Sequence, residues 1–370
     1  MATEPLSLTS DLLARVVGAI AQAGGWLPFD RFMAMALYEP GLGYYTNASA
    51  QFGHTPQGGS DFVTAPELTP LFGHTLARQV AQALDATGTD EVWEFGAGTG
   101  ALALQVIDAL AVQGRPLRRY TIVDLSGSLR ERQRATLAAH ADLVRWVDAL
   151  PEHMEGVVLG NEVLDAMPVQ LLARVGGAWF ERGVAWHDGQ LAWADRPTEL
   201  RPPLAVPGEH DYLTEIHPQA EAFVRTLADR LHRGAAFFLD YGFPEAEYFH
   251  PQRHMGTLIC HRAHQSDSNP LVDLGRKDIT AHVNFTGVAL AAQDAGMAVL
   301  GYTSQARFLL NAGLLALAQS ADARQNAMMQ KLVNEHEMGE LFKVMALAPA
   351  SSADGWVPLG FAAGDRTHRL

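Results

Sequence analysis

Cysteine is almost absent from this sequence, with Cys260 as the single one in 370 residues. No intramolecular disulfide can form, so cysteine usage gives no reason to expect a secreted protein. The first residues lack the basic segment and apolar segment of a signal peptide, and they include two acidic residues, Glu4 and Asp11. We therefore expect a soluble, cytoplasmic protein.

Long apolar runs and an excess of basic residues are also missing. The longest apolar stretches, near residues 16–23 and 308–318, are interrupted and too short to span a bilayer, so we expect no membrane segment. Lys and Arg number 27 against 41 Asp and Glu, which gives a formal net charge of −14. This balance disfavours a nucleic-acid partner and is compatible with a cationic substrate.

What the sequence does contain is a glycine-rich turn between a short apolar segment and a helical one. Glycine allows a sharp turn and close approach of a ligand, and the helix N-terminus that follows favours an anionic or polar ligand. The turn fits both the dinucleotide pattern G-x-G-x-x-G/A and the pattern E-x-G-x-G-x-G, which is typical of methyltransferases that use S-adenosylmethionine. A turn that binds nothing is the third possibility. The residues of the motif are Glu94, Gly96, Gly98, Gly100 and Ala101.

From residue 91 onward, predicted strands alternate with predicted helices, which indicates an α/β fold with a mostly parallel sheet covered on both faces. A helical segment of about 90 residues precedes the first strand, which is unusual for a dinucleotide fold. Two C-terminal strands would suit the antiparallel last strand of a Rossmann-like class I methyltransferase sheet. The strands are predicted at residues 92–95, 119–123, 143–147, 156–159, 235–239, 298–302 and 341–347.

The same pass along the chain suggests its domain organisation. Residues 1–90 are predicted to form an N-terminal helical cap, and residues 91–168 and 208–370 the core. Residues 169–207 have the spacing of an inserted antiparallel β-meander that faces the substrate. Residues 243–278 are predicted to be irregular.

Polar residues follow each predicted strand, where an open α/β sheet binds its ligand. Asp124 would accept hydrogen bonds from a ribose diol, and Asp148 from an adenine amino group. Each acid taken alone could instead cap a helix. Together the strand ends predict a set of cofactor contacts: Thr64, Glu94, Gly96, Ala97, Gly98, Gly100, Asp124, Leu125, Asp148, Ala149 and Asn161.

The segment after the fourth strand provides candidate catalytic residues. Glu162 and Asp165, three residues apart, place two carboxylates on one turn, and such a pair can hold a guanidinium and aim one nitrogen. Glu67, with Asp61, could add a third carboxylate. The alternative is that Asp165 only caps the next segment. His282 is a further candidate, with a structural role equally open.

Four histidines lie close to Cys260, and a His-x-x-His spacing beside cysteine can bind a metal. Many of the 15 histidines of the chain lie in polar loops. We expect no metal site and interpret this region as a solvated, substrate-facing loop. The four are His250, His254, His261 and His264.

The chain resembles the MidA family of class I, S-adenosylmethionine-dependent methyltransferases, which includes the mitochondrial methyltransferase that assists assembly of respiratory complex I. The resemblance implies a Rossmann-like fold, S-adenosylmethionine as the cofactor and an arginine of a partner protein as the methyl acceptor, such as a complex I subunit. The matching stretches are residues 38–45, 60–68, 94–100, 160–169, 240–242, 256–258 and 278–285.

The sequence departs from the family pattern at Ser60, Asp124 and Asn284, and the first could alter the loop over the cofactor. Alternative functions are a non-catalytic assembly factor that retains the cofactor pocket, an NAD(P)-dependent oxidoreductase, and a methyltransferase for small molecules. The sequence leaves the oligomeric state open.

Overall fold

The structure is a computed structural model that describes residues 5–47, 64–124, 126–262 and 265–370. Short 3-10 turns lie at Ala138–His140, Leu359–Phe361 and Thr367–Arg369, and a π-helical turn at Glu335–Gly339. In order, the α helices are α1 (Pro5–Gln22), α2 (Phe29–Tyr38), α3 (Ala65–Leu68), α4 (Leu71–Thr87), α5 (Ala101–Val112), α6 (Gly127–Thr136), α7 (Pro218–Arg230), α8 (Glu245–Tyr248), α9 (Phe285–Asp294), α10 (Gln305–Asn311), α11 (Leu314–Ala318), α12 (Ala323–Val333) and α13 (Ala350–Ala353).

Within the described residues, the strands form three sheets. In chain order they are β1 (Leu27–Pro28), β2 (Glu91–Phe95), β3 (Arg119–Val123), β4 (Val144–Val147), β5 (Met154–Asn161), β6 (Gln170–Val175), β7 (Ala178–His187), β8 (Gln190–Pro197), β9 (Tyr212–Ile216), β10 (Leu231–Phe243), β11 (Ile259–Arg262), β12 (Gln265–Asp267), β13 (Asp278–Thr280), β14 (Val283–Asn284), β15 (Met297–Ser304) and β16 (Phe342–Pro349).

The central sheet has the strand order β15-β16-β10-β5-β2-β3-β4, with β14 paired to the end of β10. Strands β10, β5, β2, β3 and β4 pair in parallel, whereas β16 runs antiparallel to both of its neighbours. The predicted fold class, a mostly parallel sheet with an antiparallel last strand, is confirmed.

Helices cover both faces of this sheet and create two hydrophobic cores. Helices α4, α5 and α10 to α12 contribute to the core on one face, and α7 and α9 to the core on the other. Every residue of β2 is buried, as expected for a parallel strand enclosed on both sides. The alternation of strands and helices in the sequence reflects this layered packing.

The inserted meander forms a second, antiparallel sheet. Strand β7 pairs with β6 and β8, β6 also pairs with β9, and the short β1 of the N-terminal segment adds to β7. The sheet therefore continues to Ile216, past the boundary at residue 207 that the sequence suggested. Helices α1 and α2 pack against it in a third core, so the N-terminal segment and the insertion form one wall beside the central sheet.

The stretch from residue 243 to 278 was predicted to be irregular, and this was wrong for part of it. Helix α8 lies there, and β11 pairs with β12 and β13 in a small antiparallel sheet. These strands have only three or four residues, too few to show alternation of apolar and polar residues. In the described part of the chain, no helix has the length and apolarity needed to cross a membrane.

Candidate active site

A cavity of about 740 Å³ lies at the carboxyl ends of the central strands. The ends of β2, β3, β4, β5 and β10 form its floor, and parts of the N-terminal segment, of β13 and of the start of β16 form its walls. Small-molecule sites usually fall between about 300 and 1,000 Å³. The cavity is therefore large enough for a nucleotide-sized ligand.

The glycine turn after β2 borders this cavity. Gly96, Gly98 and Gly100 all have φ in the left-handed region, at 61°, 53° and 85°. A Cβ on Gly98 would meet no atom within 4 Å, so its open side faces the cavity that it lines. Gly96 and Ala97 line the cavity as well, whereas Gly100 packs against Gln133 of α6. The turn thus offers close approach to a ligand at its first two glycines.

Glu94, two residues before the turn, is buried beneath it and lines the cavity. The hydroxyl of Tyr120 donates a hydrogen bond to Glu94 Oε2 at 2.7 Å. Burial raises the pKa of Glu94 to about 7, the nearby Asp124 adds to the effect, and the Tyr120 hydroxyl opposes it.

Asp124 follows β3, as predicted, and lines the cavity. Its Oδ1 accepts the Ser126 backbone N–H at 2.8 Å, and its Oδ2 accepts the Gln133 side-chain amide at 2.7 Å. The same amide donates to Gly98 O at 3.1 Å, and Gln133 Oε1 accepts from the Trp146 indole at 2.9 Å. Gln133, which the sequence did not single out, therefore joins the ends of three strands.

Asp148 and Ala149 follow β4 and also line the cavity. Asp148 lies at the rim, where its side chain is 79% exposed and its Oδ1 is 3.7 Å from Arg130 Nη2. Leu125, another predicted cofactor contact, lies outside the described residues.

The loop after β5 is anchored to β10 by hydrogen bonds that its backbone N–H groups donate. Glu162 N–H donates to Leu239 O at 2.9 Å. Asp240 Oδ2 accepts the N–H groups of Val163, Leu164 and Asp165 at 3.1, 2.9 and 3.3 Å. Glu162 has a φ of 54°, a strained value for a residue other than glycine, and such strain is often found at functional sites.

Three carboxyl groups meet at this loop. Burial raises the pKa of Glu162 to about 8, and the charge of Asp165 adds to the effect. Burial raises the pKa of Asp165 to about 6, while a hydrogen bond from the Tyr241 hydroxyl to Asp165 Oδ2 lowers it. The pKa of Asp240, behind the loop, is raised by burial and by the charges of Asp165 and Glu162. The loop concentrates acidic groups at one end of the cavity, and with a pKa of about 8 Glu162 keeps its proton at neutral pH.

Two acceptor atoms on this loop are buried and have no hydrogen-bond partner among the described residues. They are Asn161 Oδ1 and Asp165 Oδ1, on side chains that are 8% and 4% exposed. Both residues line the cavity. Buried acceptors are rarely left unpaired in folded proteins, so a bound group that donates N–H or O–H bonds is the expected partner.

Glu67 and Thr64 belong to the start of α3 and line the same cavity. The hydroxyl of Thr99 donates a hydrogen bond to Glu67 Oε1, so Glu67 lies against the glycine turn. Asp61, the other upstream acid of the sequence hypothesis, lies outside the described residues.

His282 lines the cavity beside the aromatic residues of β10. Its ring stacks on Phe243 with centroids 5.1 Å apart and meets Tyr241 edge-on at the same distance. Burial, and then the charges of Arg253 and Lys343, lower its pKa to about 4. His282 is therefore a neutral imidazole at physiological pH.

Two tyrosines and one aspartate that line the cavity were not predicted as site residues from the sequence. The Tyr38 hydroxyl donates to Ala166 O at 2.9 Å, and the Tyr45 hydroxyl to Asp278 Oδ1 at 2.7 Å. The two rings stack with centroids 5.5 Å apart. Tyr45 and Asp278 are 233 residues apart, and only their presence in two of the family-like stretches could have drawn attention to them.

Acidic side chains dominate the titratable groups around the cavity. None of the described residues that line it is a lysine or an arginine. His261 and His282 also line it, whereas His250 and His254 are not among its lining residues; His264 lies outside the described residues. In the described part of the chain, no group of three or more His, Cys, Asp or Glu residues is arranged so that it could hold a metal ion. The acids that line the cavity are Glu67, Glu94, Asp124, Asp148, Glu162, Asp165 and Asp278.

The strand order, the glycine turn and the acids at successive strand ends together define a class I methyltransferase. Residues 75–303 match the model of a protein family described as "Putative S-adenosyl-L-methionine-dependent methyltransferase". This match covers more than half of the chain, and the chain belongs to this family.

Relatives of known name and solved structures agree with this assignment. The chain is 27% identical to "Protein arginine methyltransferase NDUFAF7, mitochondrial" of Mus musculus, over 90% of this chain and 83% of the relative. Its Caenorhabditis elegans homologue is 26% identical, over 89% and 84%. A Burkholderia thailandensis protein, described as a candidate methyl transferase and bound to S-adenosyl-homocysteine, is 51% identical, with a TM-score of 0.96 over 100% of this chain and 99% of that one.

The cofactor of this chain is S-adenosylmethionine, and the cavity fits it. Gly98, with its open side, would admit the methionine portion, and Asp124 would accept hydrogen bonds from the ribose diol. The acidic residues of the lining would offset the positive charges of the sulfonium and ammonium groups. When bound, this cofactor supplies an electrophilic methyl carbon, whose bond to sulfur breaks with its electron pair going to sulfur as a nucleophile attacks. The chain is thus an S-adenosylmethionine-dependent methyltransferase.

Proposed function

We propose that this methyltransferase modifies an arginine side chain of a partner protein. The observation that carries the proposal is the pair Glu162 and Asp165, which the rigid loop after β5 presents to a cavity with no lysine or arginine in its described lining. Uncompensated buried carboxylates are costly, and a cationic guest offsets that cost. A planar guanidinium is the cation that two neighbouring carboxylates hold best.

The raised pKa of Glu162 suits a group that takes a proton during the reaction. A guanidinium must lose a proton when one of its nitrogens gains a methyl group. A cation bound in the cavity stabilises the ionised form of Glu162, so the carboxylate becomes available when the acceptor is in place. Glu162 then accepts the proton, and Asp165 keeps the guanidinium aligned.

The names of the curated relatives support arginine as the acceptor. They are described as protein arginine methyltransferases, and they are matched along about 90% of this chain. The resemblance to the MidA family suggests a complex I subunit-like protein as the proposed partner. The cytoplasmic location expected from the sequence stays a prediction.

The test is methyl transfer into a lysate of cells that lack this protein. Purified protein and tritiated S-adenosylmethionine are added, and the labelled residue is identified by mass spectrometry. We expect methylarginine in a protein. Label on lysine or on a small amine would overturn the proposal, as would a lack of any labelled product.

A non-catalytic assembly role is separated by Glu162→Gln, which keeps the shape of the side chain. If this variant corrects the defect of a deletion strain as well as the unchanged protein does, the cell requires the protein but not its catalytic activity. We expect it to fail, because the variant lacks the carboxylate that accepts the proton.

A further inference from the structure

We propose that Asn161 serves the methyl acceptor, by accepting an N–H bond from the nitrogen that is methylated. The sequence pattern placed Asn161 among the cofactor contacts. The inference rests on the proposed function only for the identity of the acceptor, because it concerns which of the two bound molecules Asn161 contacts.

The orientation of the Asn161 amide is fixed by its neighbour. Asn161 Nδ2 donates to Glu162 Oε1 at 3.1 Å. With Glu162 ionised, as it must be to accept a proton in the reaction, the reverse orientation would turn the amide oxygen toward the carboxylate and lose this bond. With Nδ2 directed at Glu162, Oδ1 is the atom left buried and unpaired among the described residues.

The position of this oxygen favours the acceptor. The oxygen and nitrogen of one amide are about 2.3 Å apart, so Asn161 Oδ1 lies close to the carboxylate that its own nitrogen contacts. Asp165 Oδ1, the second unpaired acceptor, belongs to the same loop. A donor group bound at this loop therefore finds two unpaired acceptor oxygens on it, Asn161 Oδ1 and Asp165 Oδ1.

A guanidinium matches this arrangement. It carries five N–H donors in one plane, and the nitrogen held by Glu162 has a second N–H that points elsewhere. Asn161 Oδ1 is placed to accept that second N–H, which fixes the rotation of the nitrogen before it attacks. Asn161 is in this respect a positioning residue for the attacked nitrogen.

The residues that we expect to contact the cofactor lie on other strand ends than Asn161 does. Asp124 and the glycine turn occupy the ends of β3 and β2, and Gln133 joins them. A loss of cofactor affinity is therefore expected from Asp124→Asn and not from Asn161→Ala.

The experiment compares these two variants. S-adenosyl-homocysteine binding is measured by calorimetry, and kcat and KM are measured by tritiated-methyl transfer into the lysate of cells that lack the protein. For Asn161→Ala we expect affinity for S-adenosyl-homocysteine within about threefold of the unchanged protein and a roughly 10- to 100-fold loss of kcat/KM for the acceptor. For Asp124→Asn we expect at least a tenfold loss of that affinity.

Controls keep the outcome clear. Asn326→Ala, on α12 and outside the cavity lining, should change neither quantity. Asn161→Ser is the second variant in case Asn161→Ala does not fold, and retained binding of S-adenosyl-homocysteine reports a folded site in either.

The inference is overturned if Asn161→Ala weakens S-adenosyl-homocysteine binding as much as Asp124→Asn does, or if it leaves both binding and transfer unchanged. These results differ from failure of the proposed function, which is seen in the identity of the labelled residue. A lysine product, for example, would refute arginine as the acceptor while the calorimetry still decided the role of Asn161.

Discussion

The hydroxyl of Tyr241 donates a hydrogen bond to Asp165 Oδ2, while Asp165 Oδ1 is buried and has no hydrogen-bond partner among the described residues. This bond stabilises the ionised form of Asp165 against the effect of burial. Because an ionised Asp165 would attract the proposed cationic acceptor, we predict that this bond extends the pH range of methyl transfer to lower pH.

Replacing this tyrosine should shift the pH dependence of methyl transfer. In the unchanged protein we expect kcat/KM to fall as the pH drops through about 8, where Glu162 gains a proton, and to fall more steeply below about 6, where Asp165 gains one. Tyr241→Phe removes the bond that lowers the pKa of Asp165, so the lower of these two inflections should move to higher pH. The measurement is kcat/KM between pH 5 and pH 9.

Tyr302→Phe is the matched control for this substitution. The Tyr302 hydroxyl is buried, has no hydrogen-bond partner among the described residues, and lies outside the cavity lining. Its removal should leave the pH profile unchanged. If the lower inflection, that of Asp165, stays at the same pH in Tyr241→Phe as in the unchanged protein, the role given to Tyr241 is contradicted.

The distance in sequence between Tyr241 and Asp165 shows what sequence reasoning can reach. Both residues follow predicted strands, and parallel strands end at one edge of a sheet, so their general location could be predicted. The contact between these two side chains depends on the pairing of β10 with β5, and it joins residues that are 76 positions apart in the sequence. The same holds for Tyr45 and Asp278, which come from the N-terminal segment and from a three-residue strand.

The fold could be predicted from the sequence more completely than the site, because each strand and helix leaves a pattern within a short stretch of the chain. Five buried parallel strands with helices between them leave a regular pattern in the chain, and the predicted strands overlap those in the structure. Strand β9 shows the limit: it completes the meander by pairing with β6 from beyond a long irregular connection. No local pattern indicates that pairing.

The protein without cofactor should lose stability as the pH rises, and Glu162→Gln should reduce that loss. The folded state holds the Glu162 proton up to about pH 8, whereas an unfolded glutamate releases it near its usual pKa of 4.5. The folded state binds more protons across this window, so the free energy of unfolding falls with rising pH there. Glutamine does not titrate and removes this contribution.

Thermal unfolding at pH 6 and pH 8.5 measures the effect. We expect the fall in Tm between these pH values to be smaller in Glu162→Gln than in the unchanged protein. Glu199→Gln, at an exposed position after β8, is the control and should behave like the unchanged protein. An equal fall in all three proteins would show that Glu162 is ionised in the folded state throughout this range.

Gly98→Ala should weaken the binding of the cofactor, and this loss should exceed what the accompanying loss of stability can explain. Gly98 and Gly176 have almost the same φ, 53° and 56°, and a Cβ at either position would meet no atom within 4 Å. Both substitutions carry a similar backbone penalty, about 1 kcal/mol. Only Gly98 lines the cavity.

Calorimetry with S-adenosyl-homocysteine and thermal unfolding of both variants separate the two effects. We expect a similar decrease in Tm for Gly98→Ala and Gly176→Ala, and a loss of affinity of at least tenfold for Gly98→Ala alone. Unchanged affinity in Gly98→Ala would mean that the ligand does not approach the turn closely.

The hydrogen bond from Thr99 to Glu67 predicts that Glu67 supports the cofactor rather than the chemistry. Thr99→Val removes the hydroxyl and leaves the shape nearly unchanged, whereas Thr99→Ser keeps the bond. With Thr99→Val we expect a several-fold weaker affinity for S-adenosyl-homocysteine and a normal kcat at saturating S-adenosylmethionine.

Glu67→Gln should behave in the same way, and Thr99→Ser should resemble the unchanged protein. A fall in kcat for Glu67→Gln with full cofactor affinity would instead favour the catalytic role that the sequence suggested, because a carboxylate needed only for the turn cannot affect a step that follows binding.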